Sequence, residues 1–177
     1  MNHFIQFLTY FRIFIAPVIF LLLIHDYFGW TLFLFLLASI SDYWDGFLAR
    51  KYMHTSEIGE ILDPIADKVL LVFLLIGISV LTDSIFVTLI SCILISREFW
   101  VSGLRDLNSR KNNISATKVT FTAKLKTATQ FLAIFLFLLG FYTKSTLIVF
   151  IANFVLFLSL ILSIQSGMRY TLESLRK

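Results

Sequence analysis

A single cysteine, Cys92, stands in 177 residues, so no intrachain disulfide can form and paired-thiol redox chemistry is excluded. It lies in an apolar run, where a small buried hydrophobe is the expectation. Charge is also scarce. Only 15% of the residues are charged, against about 25% in an ordinary soluble domain, while 58% are hydrophobic, 20 Phe among them. A soluble globular domain is thereby excluded, and a membrane composition takes its place. The three histidines, His3, His25 and His54, have no spacing suited to a shared metal site. There is no internal repeat, low-complexity linker or second composition. The first apolar run carries Arg12 and Pro17 and lacks a small-residue cleavage site, so the N-terminus is expected to be kept in the mature protein.

What is present is a series of long apolar runs. A spanning helix needs about 20 mainly apolar residues, and six candidates run approximately over 4–24, 30–50, 60–81, 85–107, 123–142 and 146–170. The predicted fold is all-α: a polytopic membrane protein with six transmembrane helices forming one domain over residues 1–177. The connections near 26–29, 82–84 and 143–145 are so short that the helices they join must be antiparallel neighbours. Of the 15 Lys and Arg, only Lys144 falls in those three connections. The positive-inside rule then puts both termini and the other connections on the cytoplasmic side. Thr9 and Arg12, residues 42–50, residues 63–68, Arg97 to Arg105, and Lys124 to Lys126 all approach that side, so a cytoplasmic-side polar active-site cavity is expected. Trp30 and Tyr27 are expected at the opposite interface. The basic C-terminal residues Arg169, Arg176 and Lys177 suit anionic lipid.

Ionisable side chains within a membrane are costly, roughly 2.5–3.5 kcal/mol or more at its centre, and are ordinarily partnered and functional. Here four aspartates fall within 26 residues. Asp42, Asp45, Gly46 and Ala49 share one face of the second helix by three- and four-residue steps, and Gly59, Asp63 and Asp67 share one face of the third. If the chain turns back between Lys51 and Ile58, four carboxylates meet, and their repulsion demands cations. Hard oxygen ligands suit Mg²⁺ or Mn²⁺ held together with substrate phosphates. An ion-pair network with Arg12, Arg50, Lys68 and Arg97 would not require this acid spacing. The small residues Gly46, Ala49 and Gly59 permit either close helix packing or the approach of a nucleotide to the backbone.

Residues 42–67 fit D-x2-D-G-x2-A-R-x8-G-x3-D-x3-D at all eight fixed positions. This resembles the CDP-alcohol phosphatidyltransferase family, and Leu8-Thr9-Tyr10-Phe11-Arg12 is similar to its early L-T-x-x-R segment. Gln6 stands where the family often has Asn. The resemblance covers essentially the whole chain. It implies that Asp42, Asp45, Asp63 and Asp67 hold two metal ions on the diphosphate of a CDP-lipid, with Asp67 also the base. It further implies that Thr9, Gly46, Arg50 and Ser56 contact CDP, with Ala49 and Gly59 serving packing within the motif.

Arg97, Arg105, Lys124 and Lys126 form a basic set suited to a phosphorylated acceptor. The segment from Ser96 to Arg105, with Lys124-Leu125-Lys126-Thr127, is similar to the branch of the family that uses glycerol 3-phosphate. The expected reaction takes CDP-diacylglycerol and glycerol 3-phosphate to a phosphatidyl product and CMP in phospholipid biosynthesis, at a bacterial inner membrane. Expected partners are these two substrates and membrane lipid, not nucleic acid, and a homodimer is left open. Another acceptor (inositol phosphate, serine or phosphatidylglycerol) is the alternative. A divalent-cation transporter is a remoter one, since the acids crowd one leaflet and no inverted repeat is detectable.

Overall fold

The computed structural model describes the backbone of residues 2–52, 57–110 and 121–175, and the side chains of residues 9–41, 62, 65, 66, 68–109 and 121–175. Among the described residues there are six α-helices and no strands: α1 (Asn2–Ile24), α2 (Phe28–Tyr52), α3 (Glu57–Thr82), α4 (Ile85–Arg110), α5 (Phe121–Thr143) and α6 (Thr146–Leu175). The helices outrun the apolar segments at their polar ends, because backbone hydrogen bonding continues where hydropathy has already fallen. By length and composition α4, α5 and α6 can each cross a membrane. In α1, α2 and α3 the described apolar stretches are Thr9–Ile24, Phe28–Ser41 and Lys68–Thr82.

The chain divides into two compact units, 1–82 and 83–177. In the first, α1 packs against both α2 and α3. Its buried stripe, Thr9, Arg12, Ile15, Ala16, Ile19 and Leu23, repeats every three or four residues and changes along its length from polar to apolar. Leu70, Leu74, Leu75 and Ile78 of α3 supply the facing aliphatic layer. Gly77 lets the two helices close, since a Cβ there would stand 2.7 Å from Leu23 Cδ2. Phe20 and Phe73 meet edge to face at 5.7 Å.

In the second unit α6 is the common partner of α4 and α5. The α5–α6 pair is an antiparallel hairpin whose apolar layer includes Ala133, Ile134, Phe137 and Leu138 opposite Ala152, Leu156 and Leu160. Asn108 Nδ2 donates to Ser174 Oγ at 2.9 Å and Trp100 Nε1 to Thr171 Oγ1 at 3.1 Å, both tying α4 to α6. Outward faces are apolar: Phe14 and Phe150 are each 73% exposed, as suits side chains that meet lipid. Cys92 is also exposed on α4, which corrects the buried hydrophobe expected from sequence. It lies on the outward side of an apolar helix, a position hydropathy cannot distinguish from a core one. Trp30 and Tyr27 are exposed at one end of the first unit.

Each of the three short turns contains one residue in the left-handed region: Asp26 (φ 62°), Asp83 (φ 45°) and Lys144 (φ 52°). After α1, Tyr27 N–H donates to Leu22 O and Asp26 N–H to Leu23 O. After α5, Ser145 N–H donates to Gly140 O and Lys144 N–H to Phe141 O, so both helices close by the same carbonyl-satisfying motif. Where water is absent such closure matters, because an unpaired backbone group costs several kcal/mol in lipid. Hydroxyls obey the same constraint: Ser39, Ser79, Thr82 and Thr129 each donate to a carbonyl three or four residues back.

Candidate active site

In the first unit, Asp42, Asp45, Gly46, Ala49 and Arg50 lie on the helical backbone of α2, and Gly59, Asp63 and Asp67 on that of α3. On this helical backbone, steps of three and four residues keep Asp42, Asp45, Gly46 and Ala49 on one face of α2, and Gly59, Asp63 and Asp67 on one face of α3. The side chains of these eight residues, and Ser56 entirely, lie outside the described residues. No group of three or more His, Cys, Asp or Glu able to hold a metal occurs among the described residues. Of the early segment, Thr9, Tyr10, Phe11 and Arg12 have described side chains. Thr9 and Arg12, one helical turn apart, are each only 1% exposed on the stripe that α1 buries within the unit. A guanidinium is not buried in an apolar core without compensation, so this end of α1 is a polar environment.

In the second unit the basic residues separate into two pairs. Arg97 and Lys126 are drawn together, with side chains 11% and 6% exposed, whereas Arg105 and Lys124 stand exposed on α4 and α5. The group that joins the first pair is Glu98. Its Oε1 accepts from Arg97 Nη1 at 3.1 Å and also from Lys126 Nζ. Among the described residues one carboxylate oxygen is thus shared by two cations.

Arg97 is fixed from a second side. Its Nε donates to Ser163 O at 3.0 Å and its Nη2 to Ser166 Oγ at 2.7 Å, so three of its five donors bond to neighbours. The side chain lies across Gly167, where a Cβ would stand 3.3 Å from Arg97 Nε and 3.4 Å from Arg97 Cγ. Three helices therefore contribute to one polar node: α4 by Arg97 and Glu98, α5 by Lys126, α6 by Ser163, Ser166 and Gly167. The planar guanidinium is held in orientation, and the Lys126 ammonium shares its carboxylate partner.

Sequence reasoning singled out Arg97 and Lys126 but gave Glu98 no part beyond adjacency. Ser163, Ser166 and Gly167 were missed altogether, since nothing in an apolar helix marks which serine meets a cation across the bundle. The one sequence signal was the pairing of Lys126 with Gln130 at helical spacing, two polar residues on a face otherwise of Ala, Ile and Phe.

Residues 3–165 match the family model described as CDP-alcohol phosphatidyltransferase. Among curated relatives, a protein of Wigglesworthia glossinidia brevipalpis is 36% identical over 166 residues, covering 92% of this chain and 90% of its own length. A protein of Haemophilus influenzae is 37% identical over 131 residues, 72% of this chain and 71% of its own. One of Blochmanniella floridana is 38% identical over 133 residues, 73% and 70% respectively. All three carry the name CDP-diacylglycerol–glycerol-3-phosphate 3-phosphatidyltransferase.

Proposed function

The chain belongs to the CDP-alcohol phosphatidyltransferase family, and we propose that it transfers the phosphatidyl group of CDP-diacylglycerol to glycerol 3-phosphate, releasing CMP in phospholipid biosynthesis. The observation that carries the acceptor choice is the node on α4, α5 and α6. Two cations of low exposure brought to one carboxylate oxygen suit an acceptor that brings a phosphate, and the relatives named above carry glycerol 3-phosphate in their names.

Asp42, Asp45, Asp63 and Asp67 are the residues that would hold Mg²⁺ or Mn²⁺, two ions in this reading. Their chemistry fits: four hard oxygen donors on two helical faces, at membrane depth, are tolerable only when neutralised. Bound metal would neutralise charge developing on the diphosphate oxygens. Asp67 accepts the proton of the attacking glycerol hydroxyl. That oxygen bonds to the lipid-side phosphorus as the bond from it to the bridging oxygen breaks, and CMP departs with the electron pair. Thr9, Gly46, Arg50 and Ser56 bind CDP, while Ala49 and Gly59 keep the motif helices slim enough for a nucleotide to reach the backbone. Arg97 and Lys126 hold the acceptor phosphate, with Arg105 and Lys124 as an outer attracting pair.

The proposed setting is a bacterial inner membrane, with both termini and the site facing the cytoplasm, where both substrates are met. The test is CMP release by purified protein in detergent, with glycerol 3-phosphate, glycerol, serine, inositol phosphate and phosphatidylglycerol offered in turn. Glycerol 3-phosphate should be preferred strongly. Preference for another acceptor would overturn the substrate and leave the reaction class, while no CMP release with any would overturn both.

A further inference from the structure

Three buried side-chain atoms of the second unit have no hydrogen-bond partner among the described residues: Nε2 and Oε1 of Gln130, and Oγ of Ser163. Gln130 is 1% exposed and Ser163 0%. A buried polar atom left unpaired costs about 1–3 kcal/mol, so three of them together are not a neutral packing choice. An apolar side chain would fill position 130 without that cost, beside Ala133 and Ile134 on the same face. The contrast with neighbouring serines is direct, since Ser159 Oγ donates to Leu156 O and Ser166 Oγ to Ser163 O. Ser163 makes no such closure.

Both residues adjoin the cation node. Gln130 follows Lys126 by one helical turn on the buried face of α5, and the Ser163 carbonyl receives Arg97 Nε. The chemistry left open is specific: an amide offers two donors and an acceptor, and a hydroxyl offers one donor and two lone pairs. A carboxylate ligand would leave the amide oxygen unmatched, and an apolar ligand would leave everything unmatched. An alcohol hydroxyl, which both donates and accepts, matches both side chains.

We propose that Gln130 and Ser163 form a hydroxyl-reading subsite beside Arg97 and Lys126, which recognises the non-reacting hydroxyl of a small phosphorylated polyol. This rests on the proposed acceptor reading and deepens it, assigning specificity to two residues that bear no charge. In glycerol 3-phosphate the group read is the secondary hydroxyl.

The experiment compares glycerol 3-phosphate with 3-hydroxypropyl phosphate, which keeps the phosphate and a primary hydroxyl but lacks the secondary one. Wild-type enzyme should favour glycerol 3-phosphate in kcat/KM by about tenfold or more, the value of one satisfied buried hydrogen-bonding group. Gln130→Leu and Ser163→Ala should compress that ratio toward one, with the KM for CDP-diacylglycerol unchanged. Arg97→Ala should depress both acceptors together and leave the ratio in place. Equal use of both acceptors by wild type, or full discrimination in both variants, overturns the subsite. Should Gln130→Leu not fold, Ser163→Ala, which removes one oxygen, carries the same comparison. Failure of the underlying reading looks different: wild type would not release CMP with glycerol 3-phosphate at all, or Arg97→Ala would leave both acceptors untouched.

Discussion

Glu98 on α4 and Lys126 on α5 are ion-paired through the same carboxylate oxygen, Oε1, that also receives Arg97. Removing that carboxylate deletes the partner that two cations of low exposure share. Glu98→Gln should therefore destabilise the protein by about 2 kcal/mol, less than the roughly 3–5 kcal/mol of breaking a fully buried pair because Glu98 retains 17% exposure. It should also raise the KM for glycerol 3-phosphate while sparing that for CDP-diacylglycerol. Thermal unfolding in detergent and a two-substrate titration read the two effects separately. Unchanged stability would mean that the pair is not maintained in the protein.

Arg97→Lys should behave almost as badly as Arg97→Ala. An ammonium cannot reproduce the fork that reaches Ser163 O and Ser166 Oγ simultaneously. Either variant should raise the acceptor KM roughly ten- to hundredfold, the equivalent of about 1.5–3 kcal/mol. Gly167→Ala should shift the same parameter in the same direction but less, since its methyl would press on the Arg97 side chain without deleting it. Were Arg97→Lys to retain the wild-type acceptor KM, the fork would have no part in acceptor binding.

Chelation of divalent metal should abolish CMP release, and Mg²⁺ or Mn²⁺ should restore it. Asp67→Asn should reduce kcat by about 10²- to 10⁴-fold, the usual worth of a positioned base, and alter CDP-lipid binding far less, since three acids remain. Titration with CDP-diacylglycerol beside single-turnover kinetics separates the two. Full turnover without metal, or a near-normal kcat in the variant, would remove the corresponding part of the mechanism.

Two glycines give opposite expectations for stability. At Gly140 a Cβ would stand 3.2 Å from the backbone nitrogen of Val149, which cannot swing aside, so Gly140→Ala should lower the unfolding temperature. Nothing lies within 4 Å of a Cβ at Gly103, so Gly103→Ala should gain about 1 kcal/mol from helix propensity. Equal effects at the two positions would show that the α5–α6 hairpin is less closely packed than described.

The helices and the short connections between them were legible because apolar runs of spanning length alternate with concentrated charge. The family was legible because eight fixed residues of 42–67 carry it. The helical backbone under Asp42, Asp45, Asp63 and Asp67 agrees with the faces inferred from spacing. The polar node was only half legible. Arg97 and Lys126 are charged and so draw notice, whereas Ser163, Ser166 and Gly167 sit in a helix whose serines look alike in sequence. Which serine accepts a guanidinium is decided by the packing of α4 on α6, and no local pattern encodes that. Cys92 failed for the mirror-image reason: in a membrane helix, outward and inward residues are equally apolar.

The turn at Lys144 and Ser145 acts as an indexing device for chemistry far from it. Gly140 meets Val149 close to the turn, and counting equally outward along both strands of the hairpin brings Lys126 level with Ser163, about 21 Å further on at 1.5 Å per residue. One helical residue inserted between that turn and Ser163 would rotate the rest of α6 by about 100° relative to α5. Ser163, Ser166 and Gly167 would then be presented to the wrong neighbour, although every one of them remained in the sequence. Helical phase counted from the turn is thus what brings these groups to one level, and a single-residue insertion within α6 ahead of Ser163 should abolish acceptor binding where substitutions at 144–145 do not.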